Sequence, residues 1–157
     1  MFKKLLVCLD GSELAEQILP YAKEQAKSFK SEVVLLHVTP EAVIVPPGIP
    51  GAPGYPIQTG AMVKEMGEEM IKAQEYLDSI ALSFQDAGLK TKRVVLEGAA
   101  GESIVKYAGE HKIGLIAIAT HGRSGVGRAI LGSVADFVIR ESGLPILMIR
   151  PKHDKSK

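Results

Sequence analysis

Five short, largely apolar runs recur along the chain, at residues 5–9, 33–38, 93–96, 114–119 and 145–149. A run in which successive residues are apolar is typical of a strand whose two faces are both buried, as in a parallel sheet. The pattern therefore predicts five buried strands.

Apolar residues at helical spacing separate these strands. After the first strand they recur three or four positions apart, which predicts one helix that is capped by Asp10 or Ser12 and kinked at Pro20. A second apolar stripe covers residues 62–87 and stops at Gly88. Since shorter helical stretches precede the fourth and fifth strands, we predict a single-domain α/β fold, an open parallel sheet with helices on both faces.

The segment 40–60 interrupts this alternation, because it contains six Pro and four Gly. Long loops in compact domains are usually lids or binding loops, so we predict a long loop here rather than a linker between domains. The domain is expected to cover residues 1–151. The charged residues 152–157 are predicted to form a disordered tail.

Composition and charge restrict the possible functions. A chain of 157 residues suits one domain, and 19 basic against 18 acidic residues give a net charge of +1. A chain with so little net charge has no strong electrostatic attraction to nucleic acid or to an anionic membrane, so neither is an expected partner. No apolar run approaches the roughly 18 residues of a membrane span, and the first is too short for a signal peptide core. We therefore expect a cytoplasmic protein.

The stretch 119–133, which follows the fourth strand, is rich in residues that bind anions. Its four glycines allow the backbone to approach a bulky anion and to point N–H groups at it. Gly132 and Ser133 lie at the start of the predicted last helix, where unpaired N–H groups and the helix dipole favour phosphate. Arg123 and Arg128 add possible charged hydrogen bonds. Together these features predict a phosphate-binding segment.

Other glycine-rich motifs fit this stretch less well. It contains no GxxxxGK[ST] sequence, and its glycines do not follow the order GxGxxG. A tight connection without a ligand is the remaining alternative for any glycine-rich loop.

A second group of polar residues, Asp10-Gly11-Ser12, follows the first strand. In open parallel sheets, ligands bind beyond the carboxyl ends of the strands, where the direction of winding reverses. If the first and fourth strands are neighbours, Asp10 and the residues from Thr120 onward face each other across one crevice.

The spacing in this stretch resembles that of universal stress proteins of the ATP-binding branch. Their motif is Gly-x-x-Gly, nine residues, and then Gly-Ser or Gly-Thr. This chain has Ala119 through Gly122, nine residues at 123–131, and then Gly132 and Ser133. Ala119 stands where the family motif has its first glycine. The resemblance extends over both ends of the chain and leaves only the segment 40–60 unconstrained.

The resemblance implies a Rossmann-like sheet of strand order 3-2-1-4-5, similar to that of the adenine nucleotide alpha hydrolases. It also implies that adenine contacts the backbone of Val38 and that Asp10 contacts the ribose or a phosphate-bound metal. Mg²⁺ would be held through the phosphates, with Asp10 as its one possible direct ligand. The residues implied to bind the nucleotide are Cys8, Leu9, Asp10, Val38, Ile118, Ala119, Thr120, His121, Gly122, Arg123, Ser124, Gly125, Gly132, Ser133, Val134 and Ala135.

The function that the resemblance implies is an ATP-binding sensor or switch in stress responses. Hydrolysis of ATP is expected to be weak or to depend on a partner, because Asp10, His121 and Ser124 form no recognisable catalytic set. Family members usually pair their fifth strands, which here implies a homodimer through the strand between Pro145 and Ile149, besides an unknown protein partner.

Three alternatives stay open. The first is a dimeric interaction module that binds AMP, a cyclic nucleotide or no nucleotide. The second is an enzyme of the ATP-pyrophosphatase type, although its Ser-Gly-Gly-x-Asp-Ser loop is replaced here by Asp10-Gly11-Ser12-Glu13. The third is a flavodoxin-like FMN protein, for which no aromatic stacking site is evident. Asp10 is open to a simpler role as a helix cap, while His37 and Cys8 are interpreted as core residues.

Overall fold

The computed structural model describes residues 1–41, 60–120 and 131–152, including their side chains except those of residues 60–66. Strands and helices alternate along these residues, as the apolar pattern predicts. Their bounds are β1 (Lys4–Leu9), α1 (Glu13–Glu16), α2 (Leu19–Phe29), β2 (Glu32–Thr39), α3 (Gly60–Gln85), β3 (Thr91–Glu97), α4 (Ala100–Glu110), β4 (Leu115–Ala119), α5 (Ser133–Glu141) and β5 (Ile146–Ile149).

The strands form one sheet in the order β3-β2-β1-β4-β5, and every neighbouring pair is parallel. β1 is the central strand: its Leu5 is in register with Val33 on one side and Leu115 on the other. The predicted fold class and strand order are therefore confirmed.

Two apolar cores cover the two faces of the sheet. Successive residues of β1 alternate between them, so that Leu5 and Val7 pack into one core while Leu6 and Cys8 pack into the other. Helices α1, α2 and α3 bury their apolar residues in the first core, and α4 and α5 bury theirs in the second. Burial on both sides is why these strands are apolar throughout.

The direction of winding reverses between β1 and β4. Right-handed crossovers lead from β1 to β2 and on to β3 through α1, α2 and α3 on one face. The chain then crosses the sheet through α4 to reach β4 on the far side of β1, and α5 leads on to β5. The carboxyl ends of β1 and β4 thus border the place where ligands bind in folds of this kind.

The prediction of a single kinked helix after the first strand is wrong, because two helices, α1 and α2, occupy that stretch. Ser12 is the N-cap of α1, and its hydroxyl oxygen accepts a hydrogen bond from the backbone N–H of Ala15 at 3.1 Å. Pro20 lies in the first turn of α2 rather than within a kinked helix. There the missing N–H of proline costs no hydrogen bond, and its fixed φ suits the helix.

The predicted stop of α3 at Gly88 is confirmed. Gly88 has a φ of +76°, which glycine adopts without strain, and its N–H donates to the carbonyl of Gln85 at 2.8 Å. The N–H of Leu89 donates to the carbonyl of Phe84 at 3.0 Å. These two bonds form a Schellman motif, which turns the chain from α3 into β3.

Two sequence predictions fall mainly outside the described residues. Of the predicted loop 40–60, residues 42–59 lie outside them, and Gly60 already begins α3. The predicted tail begins at Lys152, whose backbone N–H and C=O both bond to the side chain of Gln17 at 2.9 Å, and residues 153–157 lie outside. Among the described helices, none has the length and apolar character that crossing a membrane requires.

Truncation of Leu77 tests the core on the α3 face. Leu77 is fully buried against the sheet, whereas Leu82 on the same helix is 60% exposed. Leu77→Ala is expected to lower the free energy of unfolding by about 2–5 kcal/mol, because it removes buried methyl groups and leaves a cavity. Leu82→Ala, the matched control, is expected to change it by about 0.5 kcal/mol or less. Urea denaturation measures both, and equal effects would contradict this placement of α3.

Candidate functional site

A cleft of about 240 Å³ opens at the carboxyl ends of β1 and β4, where the winding reverses. Its walls come from the ends of β1, β2 and β4 and from the first turns of α1, α4 and α5. Every predicted nucleotide-binding residue within the described ranges lines this cleft. These residues are Cys8, Leu9, Asp10, Val38, Ile118, Ala119, Thr120, Gly132, Ser133, Val134 and Ala135.

The remaining predicted residues, His121, Gly122, Arg123, Ser124 and Gly125, lie outside the described residues, as does Arg128. Both ends of their segment are nevertheless fixed at the cleft. The backbone C=O of Thr120 accepts a hydrogen bond from the N–H of Gly132 at 2.7 Å. The N–H of Thr120 donates to the carbonyl of Ile149 in β5 at 3.0 Å. Thr120 and Gly132, which flank the glycine-rich segment, are therefore bonded to each other at the cleft.

Asp10 lies directly after β1, and its carboxylate is oriented by the start of α1. One carboxylate oxygen, Oδ1, accepts from the backbone N–H of Ser12 at 3.0 Å and from its hydroxyl at 2.6 Å. The hydroxyl in turn caps α1 by accepting from the N–H of Ala15. Asp10 thus supports the cap and also lines the cleft, so the two roles considered for it are compatible.

The amino terminus of α5 borders the cleft, and among the described residues no side chain caps it. Gly132 is the N-cap, and it has no side chain to accept hydrogen bonds from the N–H groups of the first turn. The first-turn residues Ser133, Val134 and Ala135 all line the cleft. An anion placed there would meet the backbone N–H donors of the first turn and the positive end of the helix dipole.

Much of the cleft lining is apolar. Val38, Ile118 and Val134 line it together with residues that sequence reasoning missed. The missed residues are Ala15, Leu36, Ala100 and Ile104. Strand alternation could have identified Leu36, because residues two apart in β2 share a face. Ala100 and Ile104 reach the cleft only through the packing of α4, which no local pattern reveals.

Cys8 forms part of the floor of the cleft and is 7% exposed. Burial raises the pKa of its thiol to about 12, because the apolar surroundings disfavour the thiolate. At neutral pH the side chain is therefore a protonated, weakly polar group and neither a nucleophile nor a metal ligand. This agrees with its interpretation as a small core residue.

A separate polar cavity of about 360 Å³ lies on the α3 face of the sheet, and His37 lines it with Thr39, Lys72 and Tyr76. The His37 ring packs edge-to-face on Tyr76, with centroids 6.0 Å apart, and His37 is 8% exposed. Burial, followed by the Glu16 carboxylate, raises the pKa of Tyr76. Within the described ranges, no three His, Cys, Asp or Glu side chains lie close enough to hold a metal ion.

Known proteins resemble this chain over nearly its whole length. Universal stress protein MJ0531 of Methanocaldococcus jannaschii is 30% identical over 98% of this chain and 86% of its own length. Universal stress protein MJ0577 of the same organism is also 30% identical, and its solved structure superposes with a TM-score of 0.74 over 98% of this chain and 99% of that one.

Two more distant solved structures share the fold and contain a nucleotide. A universal stress protein family protein from Arabidopsis thaliana, solved with AMP bound, is 14% identical, with a TM-score of 0.68 over 99% and 95% of the two chains. A universal stress protein in complex with cAMP is 19% identical, with a TM-score of 0.58 over 94% and 96%. The universal stress protein family model matches residues 1–150. The chain therefore belongs to the universal stress protein family.

Proposed function

We propose that this chain binds an adenine nucleotide, with ATP as the leading candidate, in the cleft between β1 and β4, and that it acts as a nucleotide-dependent switch in stress responses. The observation that carries the proposal is the meeting of three features in one cleft. These are the carboxylate of Asp10, the open amino terminus of α5 and the two fixed ends of the glycine-rich segment.

The cleft contains groups suited to the base, the ribose and the phosphate of a nucleotide. The apolar part of the lining, which includes Leu36, Val38 and Ile104, suits the faces of a base. The carboxylate of Asp10 is a hydrogen-bond acceptor for ribose hydroxyls. The first turn of α5 suits a phosphate group, since backbone N–H donors and the helix dipole act in the same direction there.

Adenine as the base is supported by the relatives solved with AMP and with cAMP. The number of phosphates on the nucleotide depends on the glycine-rich segment. Residues 122–125 are proposed to contact the outer phosphates, while Ser133 at the start of α5 is proposed to contact the phosphate nearest the ribose. If the glycine-rich segment contributes little, the protein would bind AMP as tightly as ATP and act as an interaction module through its partners.

Magnesium fits this site as an ion carried by the phosphates. Mg²⁺ retains several waters and needs only one or two protein ligands, and Asp10 is the carboxylate that lines the cleft. The metal would neutralise phosphate charge. Asp10 would bind one of its waters or a ribose hydroxyl, held in place by Ser12. Any hydrolysis is proposed to be slow, because Asp10, His121 and Ser124 form no recognisable catalytic set in the sequence.

Gly132→Val tests the proposed phosphate contact. A side chain at the N-cap of α5 would occupy the space through which a phosphate approaches the first-turn N–H groups, so ATP affinity is expected to fall by at least about tenfold, or about 1.4 kcal/mol. Calorimetric titration with ATP, ADP and AMP in the presence of magnesium measures the change. Gly109→Val is the control, because Gly109 lies on α4 with open space around it.

Three outcomes would contradict the proposal in different ways. Unchanged ATP affinity in Gly132→Val would reject the phosphate contact at α5. Equal affinities of the wild-type protein for ATP and AMP would favour the interaction module. No nucleotide in the freshly purified, denatured protein, together with no calorimetric binding, would reject nucleotide binding altogether.

Alkylation of Cys8 gives an independent measure of occupancy, because it is the chain's single cysteine and lines the cleft. Its raised pKa, about 12, leaves little thiolate at pH 8, so iodoacetamide is expected to react far more slowly than with an exposed cysteine. The rate should increase with pH toward that pKa, and saturating ATP should lower it further. Mass spectrometry follows the reaction, and a rate that ATP leaves unchanged would count against binding beside Cys8.

We further propose that two chains pair through β5. In the described ranges the sheet has β3 and β5 as its edge strands, and of these two β3 carries protective charge. β3 carries Lys92 and Arg93, and Arg93 forms an ion pair with Asp78. β5 contains no charged residue, and its Met148 is 37% exposed. An uncharged edge of this kind is suited to pairing with a second copy.

Met148→Glu tests this assembly. A carboxylate on the β5 edge would face the same group on the other copy, so the variant is expected to sediment as a monomer where the wild type is a dimer. Lys92→Glu on the β3 edge is the matched control and should remain dimeric. Sedimentation velocity measures both, and a monomeric wild type or a dimeric Met148→Glu would reject the β5 interface.

A further inference from the structure

The end of the sheet opposite the cleft contains a groove rich in lysine, with a volume of about 610 Å³. Three segments that are far apart in the sequence supply the lysines. Lys3 and Lys4 lie at the start of β1, Lys27 and Lys30 at the end of α2, and Lys90 just before β3. We call this feature the lysine groove. In a chain with a net charge of +1, it concentrates positive charge at one end of the fold.

Some of this charge is already paired. Among the residues that line the groove, Glu32 is the only acidic one, and it lies 3.4 Å from the ammonium group of Lys90. The ammonium group of Lys4 donates to the backbone carbonyl of His111 at 3.1 Å. The ammonium group of Lys27 also lies 3.5 Å from the carboxylate of Glu24. With five lysines in its lining, the groove still has an excess of positive charge.

Lys3 and Lys30 carry charge that the described part of the chain leaves unpaired. Both residues are exposed. Neither ammonium group forms a hydrogen bond or an ion pair with a described residue. Lys30 also has a φ of +52°, in the left-handed region that favours glycine. This conformation belongs to its position as the C-cap of α2, and it places the residue at the end of the helix beside the groove.

The helix dipole accounts for only part of the cluster. Cations at the end of α2 compensate the negative end of its dipole, which gives Lys27 and Lys30 a role in stability. Lys3 precedes a strand and has no such role. If the lysines only compensate the helix dipole, replacing them lowers stability without affecting any binding. Measurements of stability and of binding therefore separate a dipole role from a binding role.

The floor of the groove allows an extended chain to approach closely. Ala26, Ser31, Ala87 and Gly88 contribute small or absent side chains, and a Cβ built on Gly88 would meet no atom within 4 Å. Apart from Glu32 and Leu89, the lining therefore consists of lysines and of residues with small or no side chains. This shape suits a peptide backbone with carboxylates on its side chains.

We propose that the lysine groove binds an acidic segment of a partner protein. Nucleic acid fits less well, because the described residues of the groove lining include no arginine for bidentate phosphate contacts and no aromatic ring on which a base could stack. The proposal shares no residue with the nucleotide cleft, so either one can fail without the other.

The test uses a short fluorescein-labelled peptide in which glutamate alternates with glycine, titrated with the full-length protein by fluorescence anisotropy. The wild type is expected to bind, and added salt should weaken binding. The double variant Lys3→Glu with Lys30→Glu is expected to bind at least about tenfold more weakly. The control, Lys72→Glu with Lys106→Glu, changes the net charge by the same amount outside the groove and should bind as the wild type does.

Four outcomes would overturn the proposal. They are an equal loss in the control variant, an unchanged affinity in the groove variant, equal binding of a peptide with glutamine in place of glutamate, and displacement of the peptide by single-stranded DNA at lower concentration than by unlabelled peptide. Melting temperature and far-ultraviolet circular dichroism check that the groove variant is folded. If it is not, Lys3→Gln with Lys30→Gln replaces it and is expected to weaken binding in the same direction.

Discussion

The burial of β1 on both faces is the constraint on which the rest of this structure depends. β1 pairs with β2 on one side and β4 on the other, and its side chains alternate between two cores. Because it cannot shift without disturbing both cores, the residue that follows it has a fixed position. Asp10 is that residue, and the reversal of winding beside β1 creates the cleft that Asp10 lines.

The parallel arrangement also makes the two ends of the sheet electrically different. Helices that connect parallel strands begin near the carboxyl ends of the strands and end near the amino ends. The cleft therefore receives helix amino termini, which favour anions, whereas the opposite end collects helix carboxyl termini, which favour cations. The chain follows this polarity: Ser133 begins α5 at the cleft, while Lys27 and Lys30 lie at the end of α2 beside the lysine groove.

Sequence reasoning succeeded where the physical signal is local. Apolar runs identify the strands because burial on both faces requires them, and Gly88 ends α3 because its positive φ favours glycine. Sequence reasoning failed where tertiary packing determines the structure. Pro20 is compatible with a kinked helix or with the first turn of a new one, and the local sequence does not distinguish the two. Ile104 and the lysine groove were missed for the same reason, since each depends on segments that only the fold brings together.

The two proposed sites lie at opposite ends of the same strand, which determines how far they can influence each other. β1 has six residues and spans about 20 Å, well beyond the roughly 8 Å over which physiological salt screens exposed charges. Direct electrostatic coupling between the cleft and the groove is therefore weak. Coupling through structure would require β1 to adopt two positions, and close packing on both faces opposes this. The fold thus favours a nucleotide site and a docking site that act independently. A switch must then operate through elements other than the central strand.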